Sequence, residues 1–128
     1  MSGWDADSAF DLLGNELARK ILVLTSERAL SAEELTRRCD ASQPTVYRRL
    51  DALESYDMVA EKLRYDADGN HYSAYECRLE ELRFGVEDGG FTVDIELRRT
   101  VAGEGDGESV SRRSATGGVG DVGDTDAL

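Results

Sequence analysis

Residues 30–53, which read LSAEELTRRCDASQPTVYRRLDAL, contain the signals that decide the fold. Ser31 and Glu34 have the spacing of a capping box, in which each residue's side chain satisfies a free backbone N–H of the other. An apolar position follows at Leu35, on the side of the chain that would face inward. The stretch therefore predicts a short helix from Ala32 to about Cys39.

A second helix is predicted directly after a short connection at residues 40–42. Ser42 is a residue type that caps helix N-termini, and Pro44 is tolerated in a first turn because no partner exists there for its missing N–H. The helix is expected to run to about Ser55, with its apolar side chains at helical spacing: Val46, Leu50 and Leu53. Two short helices joined by a tight turn are the prediction.

The flanking sequence supplies the rest of a winged helix-turn-helix. Upstream, apolar residues recur at helical spacing, and a break at Gly14-Asn15 separates a short first turn from a helix over about 16–26. Downstream, the period changes to two, which predicts a hairpin around the turn residues 66–70 and a second hairpin over 82–98. We predict an α+β fold with a three-helix core, a β-hairpin wing and an additional C-terminal β-hairpin.

Composition sets the predicted domain organisation. Residues 1–7 are small and acidic and are expected to be flexible, whereas residues 8–80 form the winged helix-turn-helix domain. Residues 81–102 form the additional hairpin, a candidate dimerisation element. From residue 103 to 128 the chain is rich in Gly, Ser and Asp, which cannot bury enough apolar area to offset the entropy of ordering, so this acidic tail is predicted to be disordered.

The overall charge bears on partners and environment. The 128 residues include 27 Asp and Glu against 15 Lys and Arg, a formal net charge of -12, and only Lys20 and Lys62 are lysines. Such a negative net charge disfavours nonspecific electrostatic binding to nucleic acid or to an anionic membrane. It is typical of a protein adapted to concentrated salt, and an ordinary acidic protein with an acidic tail is the alternative. We expect a cytoplasmic protein that does not bind membranes.

The local charge around the two helices differs from the average. Five arginines and three acidic residues lie between residues 28 and 50, which gives that window a net charge of +2. On a helical projection, Val46 points inward and the N-terminal part of the second helix presents polar side chains outward. Arg can fork to guanine, Gln to adenine, and Thr can meet a thymine methyl group. The expected DNA-binding residues are Ser42, Gln43, Thr45, Tyr47, Arg48, Arg49, Arg37, Arg38, Lys62 and Arg64.

Three segments resemble ArsR-type winged-helix transcriptional regulators: residues 12–22 (LLGNELARKIL), residues 30–35 (LSAEEL) and residues 41–50 (ASQPTVYRRL). The resemblance covers about residues 10–80, and the charge pattern is similar to that of haloarchaeal members of this broad group. It implies a homodimer that reads an inverted repeat in double-stranded DNA through the recognition helix, about residues 43–55. The same resemblance implies that the polar face from Ser42 to Arg49 contacts the operator.

The chain departs from this family in two respects. Metal sensors of the family carry a Cys-x-Cys pair in the helix before the recognition helix, whereas here Cys39 is the only cysteine of that segment. A single thiolate does not complete a site for Zn²⁺ or a similar soft metal, so no metal site and no cofactor are expected. Family members also often end in a dimerising helix, whereas residues 82–98 alternate like strands, which leaves the dimer interface open.

Two alternative functions remain at this point. Cys39 lies beside Arg37 and Arg38, which could lower its pKa and make it a redox switch, although a small packed side chain is the plainer interpretation. Winged helices also serve as protein–protein interaction modules. Enzymatic activity is not expected, because the sequence spells out no phosphate-binding loop and no nucleophile with its base. A DNA-binding regulator, with cations at its DNA interface, is the leading hypothesis.

Overall fold

The structure, a computed structural model, describes residues 5–99 and 108–116. Over these residues the chain forms four helices and two antiparallel sheets, with strand orders β1-β3-β2 and β4-β5-β6. The elements are α1 (Ala6–Leu13), α2 (Glu16–Glu27), β1 (Leu30–Ser31), α3 (Ala32–Cys39), α4 (Gln43–Ser55), β2 (Val59–Tyr65), β3 (His71–Cys77), β4 (Leu79–Glu87), β5 (Gly90–Arg99) and β6 (Glu108–Thr116). The α+β prediction is confirmed, and the arrangement fits a winged helix.

The N-terminal helix is longer than the sequence predicted. Asp5 caps α1, because its Oδ1 accepts a hydrogen bond from the backbone N–H of Ser8 at 2.8 Å, and Ala6 and Ala9 are fully buried. The predicted flexibility of residues 1–7 is therefore wrong for residues 5–7, and residues 1–4 lie outside the described part. The small, acidic composition of this segment did not indicate that Asp5 caps a helix or that its alanines pack closely in the core. The described core accordingly has four helices instead of three.

The helix-turn-helix forms as its local signals predicted. Ser31 Oγ accepts from the Glu34 N–H at 3.1 Å, and Glu34 Oε1 accepts from the Ser31 N–H at 2.9 Å, which completes the capping box of α3. The connection reverses at Asp40, whose φ of 56° is left-handed, and Ser42 caps α4. Both helices therefore begin and end within one residue of the expected positions.

The core lies where α2, α3 and α4 meet and continues under β2 and β3. Leu35 from α3 and the α4 side chains Val46, Leu50 and Leu53 are fully buried, as the helical spacing predicted. Ile21 contributes the α2 side of the same cluster. Because the inner face of α4 is fixed in this way, its opposite face has one defined orientation toward solvent.

The hairpin of β2 and β3 follows α4 directly. The two strands pair along their whole length, from Val59 opposite Cys77 to Tyr65 opposite His71, and β1 adds to the other edge of β3. The turn uses Gly69 at a φ of 86°, a backbone conformation that glycine adopts without a steric penalty. This hairpin, residues 59–77, is called the wing below.

The second sheet contains a strand that the sequence did not predict. β6 pairs with β5 from Phe91 opposite Thr116 to Arg99 opposite Glu108. The prediction of a disordered tail over 103–128 is therefore wrong for residues 108–116, while residues 103–107 and 117–128 lie outside the described part. Pairing along β5 satisfies backbone N–H and C=O groups, which an argument from apolar content did not count. The additional element is thus a three-stranded sheet, larger than the hairpin predicted for 81–102.

None of the helices in the described part of the chain is long and apolar enough to cross a membrane.

Candidate nucleic-acid interface

The first two turns of α4 present polar side chains to solvent. Gln43 and Arg48 are exposed, and Tyr47 is 44% exposed although it is aromatic. Thr45 is half-buried, whereas the helical projection predicted a fully exposed side chain. These side chains share the N-terminal end of the helix, where free backbone N–H groups give the helix a partial positive charge.

Thr45 is engaged within the helix. Its hydroxyl oxygen accepts a hydrogen bond from Ser42 Oγ at 2.8 Å, and Arg48 Nη2 approaches the same oxygen at 3.5 Å. The longer of these distances is at the limit for a hydrogen bond. Thr45 therefore orients Arg48 weakly and leaves most of the guanidinium free to bind another group.

Four arginines surround this end of α4 and form no ion pair with the side chains that the structure describes. Arg37 and Arg38 are exposed in the last turn of α3, Arg48 is exposed on α4, and Arg49 is half-buried beside it. Within residues 5–98, whose side chains the structure describes, the ion pairs involve other basic residues: Lys62, Arg83 and Arg98. The Nε of Arg49 is buried and has no hydrogen-bond partner. In a chain with an excess of carboxylates, this group of guanidinium side chains remains available to an external anion.

The wing residues divide into two groups. Lys62 forms an ion pair with Glu76 at 3.0 Å, so its charge is already partly neutralised. Arg64 is exposed and lies opposite Tyr72 in the register, nearer the turn. At the turn itself Asp66 Oδ1 accepts hydrogen bonds from the backbone N–H groups of Asp68 and Asn70. Among the predicted wing contacts, the structure leaves only the Arg64 side chain without a partner in the described residues.

Sequence reasoning missed an acidic cluster at the other end of α4. Burial raises the pKa of Glu54, and the negative charges of Glu61 and Asp51 raise it further. Burial also raises the pKa of Tyr75 to about 12, assisted by Glu61 and Glu54. Asp51, Glu54 and Glu61, called the acidic cluster below, therefore lie close together between α4 and the wing. The spacing of Asp51 and Glu54 indicated a shared helix face, but no sequence signal placed Glu61 beside them.

The two cysteines are free thiols. Burial raises the pKa of Cys39, and the positive charges of Lys20 and Arg38 oppose this effect without overcoming it. Burial also raises the pKa of Cys77. A thiol with a raised pKa is less ionised at neutral pH, so the environment of Cys39 disfavours the redox switch that its arginine neighbours suggested. The described residues contain no group of three or more side chains suited to hold a metal ion.

Comparison with known families agrees with the geometry of the α3–α4 pair. Residues 13–62 match the family model of a helix-turn-helix domain. The matched segment extends from the end of α1 through α2, α3 and α4 into β2. No curated protein matches the chain. The prediction of a helix-turn-helix domain is thereby confirmed, while the finer resemblance to ArsR-type and haloarchaeal regulators stays a prediction.

Proposed function

We propose that this chain is a sequence-specific transcription regulator that binds double-stranded DNA through the N-terminal half of α4. The observation that carries the proposal is a group of four arginines around the capped, solvent-facing end of a helix-turn-helix, none of which forms an ion pair within residues 5–98. Guanidinium groups bind phosphates and guanine edges, and a helix N-terminus adds N–H donors for phosphate.

Base contacts are assigned to the exposed side chains of the first turns. Gln43 suits adenine and Arg48 suits guanine, because each can make two parallel hydrogen bonds to that base in the major groove. Arg37, Arg38 and Arg49 are assigned to backbone phosphates, which position the protein without carrying sequence information. Ser42 and Tyr47 complete this contact face, and Thr45 supports it by orienting Arg48.

The charge distribution along α4 supports entry into the groove by its N-terminal end. Positive and polar side chains occupy the first turns, whereas the acidic cluster occupies the far end and the root of the wing. Phosphates are therefore attracted to one half of the helix and repelled from the other. Lys62 and Arg64 are secondary backbone contacts, with Lys62 exchanging Glu76 for a phosphate.

The proposal includes a homodimer that reads an inverted repeat in a high-salt cytoplasm, as the resemblance to ArsR-type haloarchaeal regulators implies. Winged helix-turn-helix dimers of this kind present two recognition helices to successive half-sites. Cations bound between the acidic cluster and DNA phosphates would offset the repulsion between them. No enzymatic activity and no cofactor form part of the proposal.

The dependence of DNA affinity on salt concentration tests both DNA binding and the uptake of cations by the acidic cluster. Ordinary DNA binding weakens steeply as salt rises, because binding releases counterions that are condensed on the DNA. Here cation uptake by the acidic cluster opposes that release, so we expect affinity to change little, or to increase, from low to molar KCl. Fluorescence anisotropy of a labelled duplex, selected by the protein from a random pool, measures this slope.

The matched control for the salt experiment is the double variant Asp51→Asn and Glu61→Gln, which removes two charges of the acidic cluster and keeps similar side-chain shapes. It should bind DNA more tightly at low salt and show the ordinary steep loss of affinity as KCl rises. A steep loss in the unmodified chain would contradict cation uptake. Failure to bind any duplex across the whole salt range would contradict the proposed function itself.

A further inference from the structure

The second sheet carries an apolar surface that the DNA-binding proposal does not use. Phe10 from α1 lies with its ring centroid 4.9 Å from that of Phe84 and 5.5 Å from that of Phe91. The rings of Phe84 and Phe91 stack with centroids 5.9 Å apart. Phe10 nevertheless stays 50% exposed, and Val86 at the end of β4 is 75% exposed. These four residues are called the aromatic patch below.

The aromatic patch lies away from the candidate DNA interface. Tyr56, which caps the C-terminal end of α4, shares a hydrogen bond with the Ser8 side chain of α1. The contact with α1 is therefore made at the end of α4 that holds the acidic cluster. Since α4 has 13 residues, its two ends are about 20 Å apart. A molecule bound at the aromatic patch would leave Gln43 and Arg48 accessible.

Strand β4 adds an open backbone edge to this apolar surface. In the described part of the chain, β4 pairs with β5 on one side only, because the strand order is β4-β5-β6. A β-bulge interrupts the strand between Leu79 and Glu81, but the pairing is regular from Glu81 to Glu87. Along residues 81–86 the N–H and C=O groups of every second residue therefore point to the open side of β4. Such groups are a template for pairing with another strand.

The pattern of this edge is self-complementary. Leu82, Phe84 and Val86 share one face of the sheet, since residues alternate between faces along a strand. When a second copy of the strand is paired antiparallel with Phe84 on the two-fold axis, Leu82 of each copy lies opposite Val86 of the other. On the other face, Arg83 lies opposite Gly85, where the absence of a side chain leaves room for it.

We propose that two copies of this chain associate through β4, forming one continuous six-stranded antiparallel sheet with Phe84 at its two-fold axis. The apolar self-complementarity of Leu82, Phe84 and Val86 argues for a second copy as the occupant, because a two-fold axis requires each surface to match itself. The choice also rests on the proposed function, in which two recognition helices are needed. The dimer covers Val86, whose side chain is 75% exposed in the single chain.

The proposed interface also has an unfavourable contact that predicts its salt dependence. With Phe84 on the axis, Glu81 of each copy lies opposite Glu87 of the other, and like charges directly opposite each other destabilise a strand pair. The Arg83 side chain, 3.7 Å from Glu81, offsets this repulsion only in part because that ion pair is exposed. Salt weakens this repulsion, because the Debye screening length falls to about 3 Å at molar concentration. The dimer is therefore expected to strengthen as KCl rises, whereas an acid–base interface with a different protein would weaken.

The test measures the molar mass of the full chain by sedimentation equilibrium in molar KCl. A species of twice the 14.0 kDa chain mass is expected, with a smaller fraction at low salt. Val86→Lys places a charge against the apolar face of the second copy and should raise the dissociation constant at least about tenfold. Because Val86 is so exposed, this substitution leaves the fold of the single chain intact, which circular dichroism verifies.

Val23→Lys is the matched control, since Val23 is 59% exposed on α2 and takes no part in the proposed interface. It should leave the dissociation constant unchanged. A monomer at every protein and salt concentration would overturn the proposal, and so would a dimer with the same dissociation constant after Val86→Lys.

DNA binding separates this proposal from the proposed function. If the chain is monomeric but binds DNA in an Arg48-dependent manner, the β4 dimer is wrong and the function stands. If Val86→Lys dissociates the dimer but no duplex is bound, the interface stands and the DNA-binding function is wrong. If both hold, Val86→Lys should weaken binding to an inverted repeat while leaving the affinity for a single half-site unchanged.

Discussion

Replacing Arg48 with alanine is expected to weaken binding to the selected DNA duplex by about 10–100-fold, the range for loss of one bidentate base contact. Arg48 is exposed on the second turn of α4, and its guanidinium has only the long contact with Thr45. It has no carboxylate partner within the described residues, so no ion pair must be broken before it binds DNA. Fluorescence anisotropy in molar KCl measures the change in dissociation constant.

Arg48→Lys is the matched control, because lysine keeps the charge but lacks the planar fork that matches guanine. This variant should bind unrelated DNA about as well as the unmodified chain and lose most of its preference for the selected duplex. Two equal affinities for the selected duplex, before and after Arg48→Ala, would show that Arg48 is outside the interface. If Arg48→Ala lost the same affinity for the selected duplex and for unrelated DNA, while Arg48→Lys kept both affinities, Arg48 would contact phosphate instead of a base.

Replacing Leu50 with alanine is expected to lower the free energy of unfolding by about 2–5 kcal/mol. Leu50 is completely buried on the inner face of α4, where that helix packs against α2 and α3. The loss is a large part of the total for a domain of this size, since stabilities of about 5–15 kcal/mol are usual. Urea unfolding followed by circular dichroism measures the difference.

Leu63→Ala is the control for this prediction, because Leu63 is 57% exposed on the wing. It should cost less than about 1 kcal/mol, as expected for a surface substitution. If the two variants lost the same stability, the assignment of Leu50 to the inner face of α4 would be wrong, and with it the orientation of the DNA-contacting face.

The parts of the fold that were predicted correctly have local causes. The capping box of Ser31 and Glu34, the cap at Ser42 and the spacing of Val46 and Leu50 all act within one or two helical turns. Local signals of this kind do not depend on the rest of the chain, so they can be recognised in the sequence. These local signals predict the helix-turn-helix without reference to any tertiary contact.

The parts that were missed depend on distant segments. β6 has few apolar residues and is held by backbone pairing with β5, a partner that its own sequence does not indicate. Helix α1 depends on Asp5 as a cap and on alanines packed closely against other elements. In both cases composition indicated flexibility. The stabilising free energy comes instead from backbone pairing in β6, and from the cap and tertiary packing in α1, which composition does not reveal.

The same distinction holds for the candidate site. The exposed positions of Gln43, Tyr47 and Arg48 follow from helical geometry once Val46 is placed inward. The pairing of Lys62 with Glu76, and the approach of Glu61 to Glu54, join strands and a helix that are remote in sequence. The net charge of the chain therefore does not predict the local charge of this surface, because one end of α4 is basic and the other is acidic.

Selection of duplexes from a random DNA pool in molar KCl, with the unmodified chain and with Gln43→Ala, tests the central claim most directly. The account predicts that the unmodified chain enriches one motif arranged as an inverted repeat. Gln43→Ala should enrich the same motif with its preference lost at one base pair of each half-site. Enrichment of no motif, or an identical motif from both proteins, would contradict the claim that the N-terminal half of α4 reads DNA sequence.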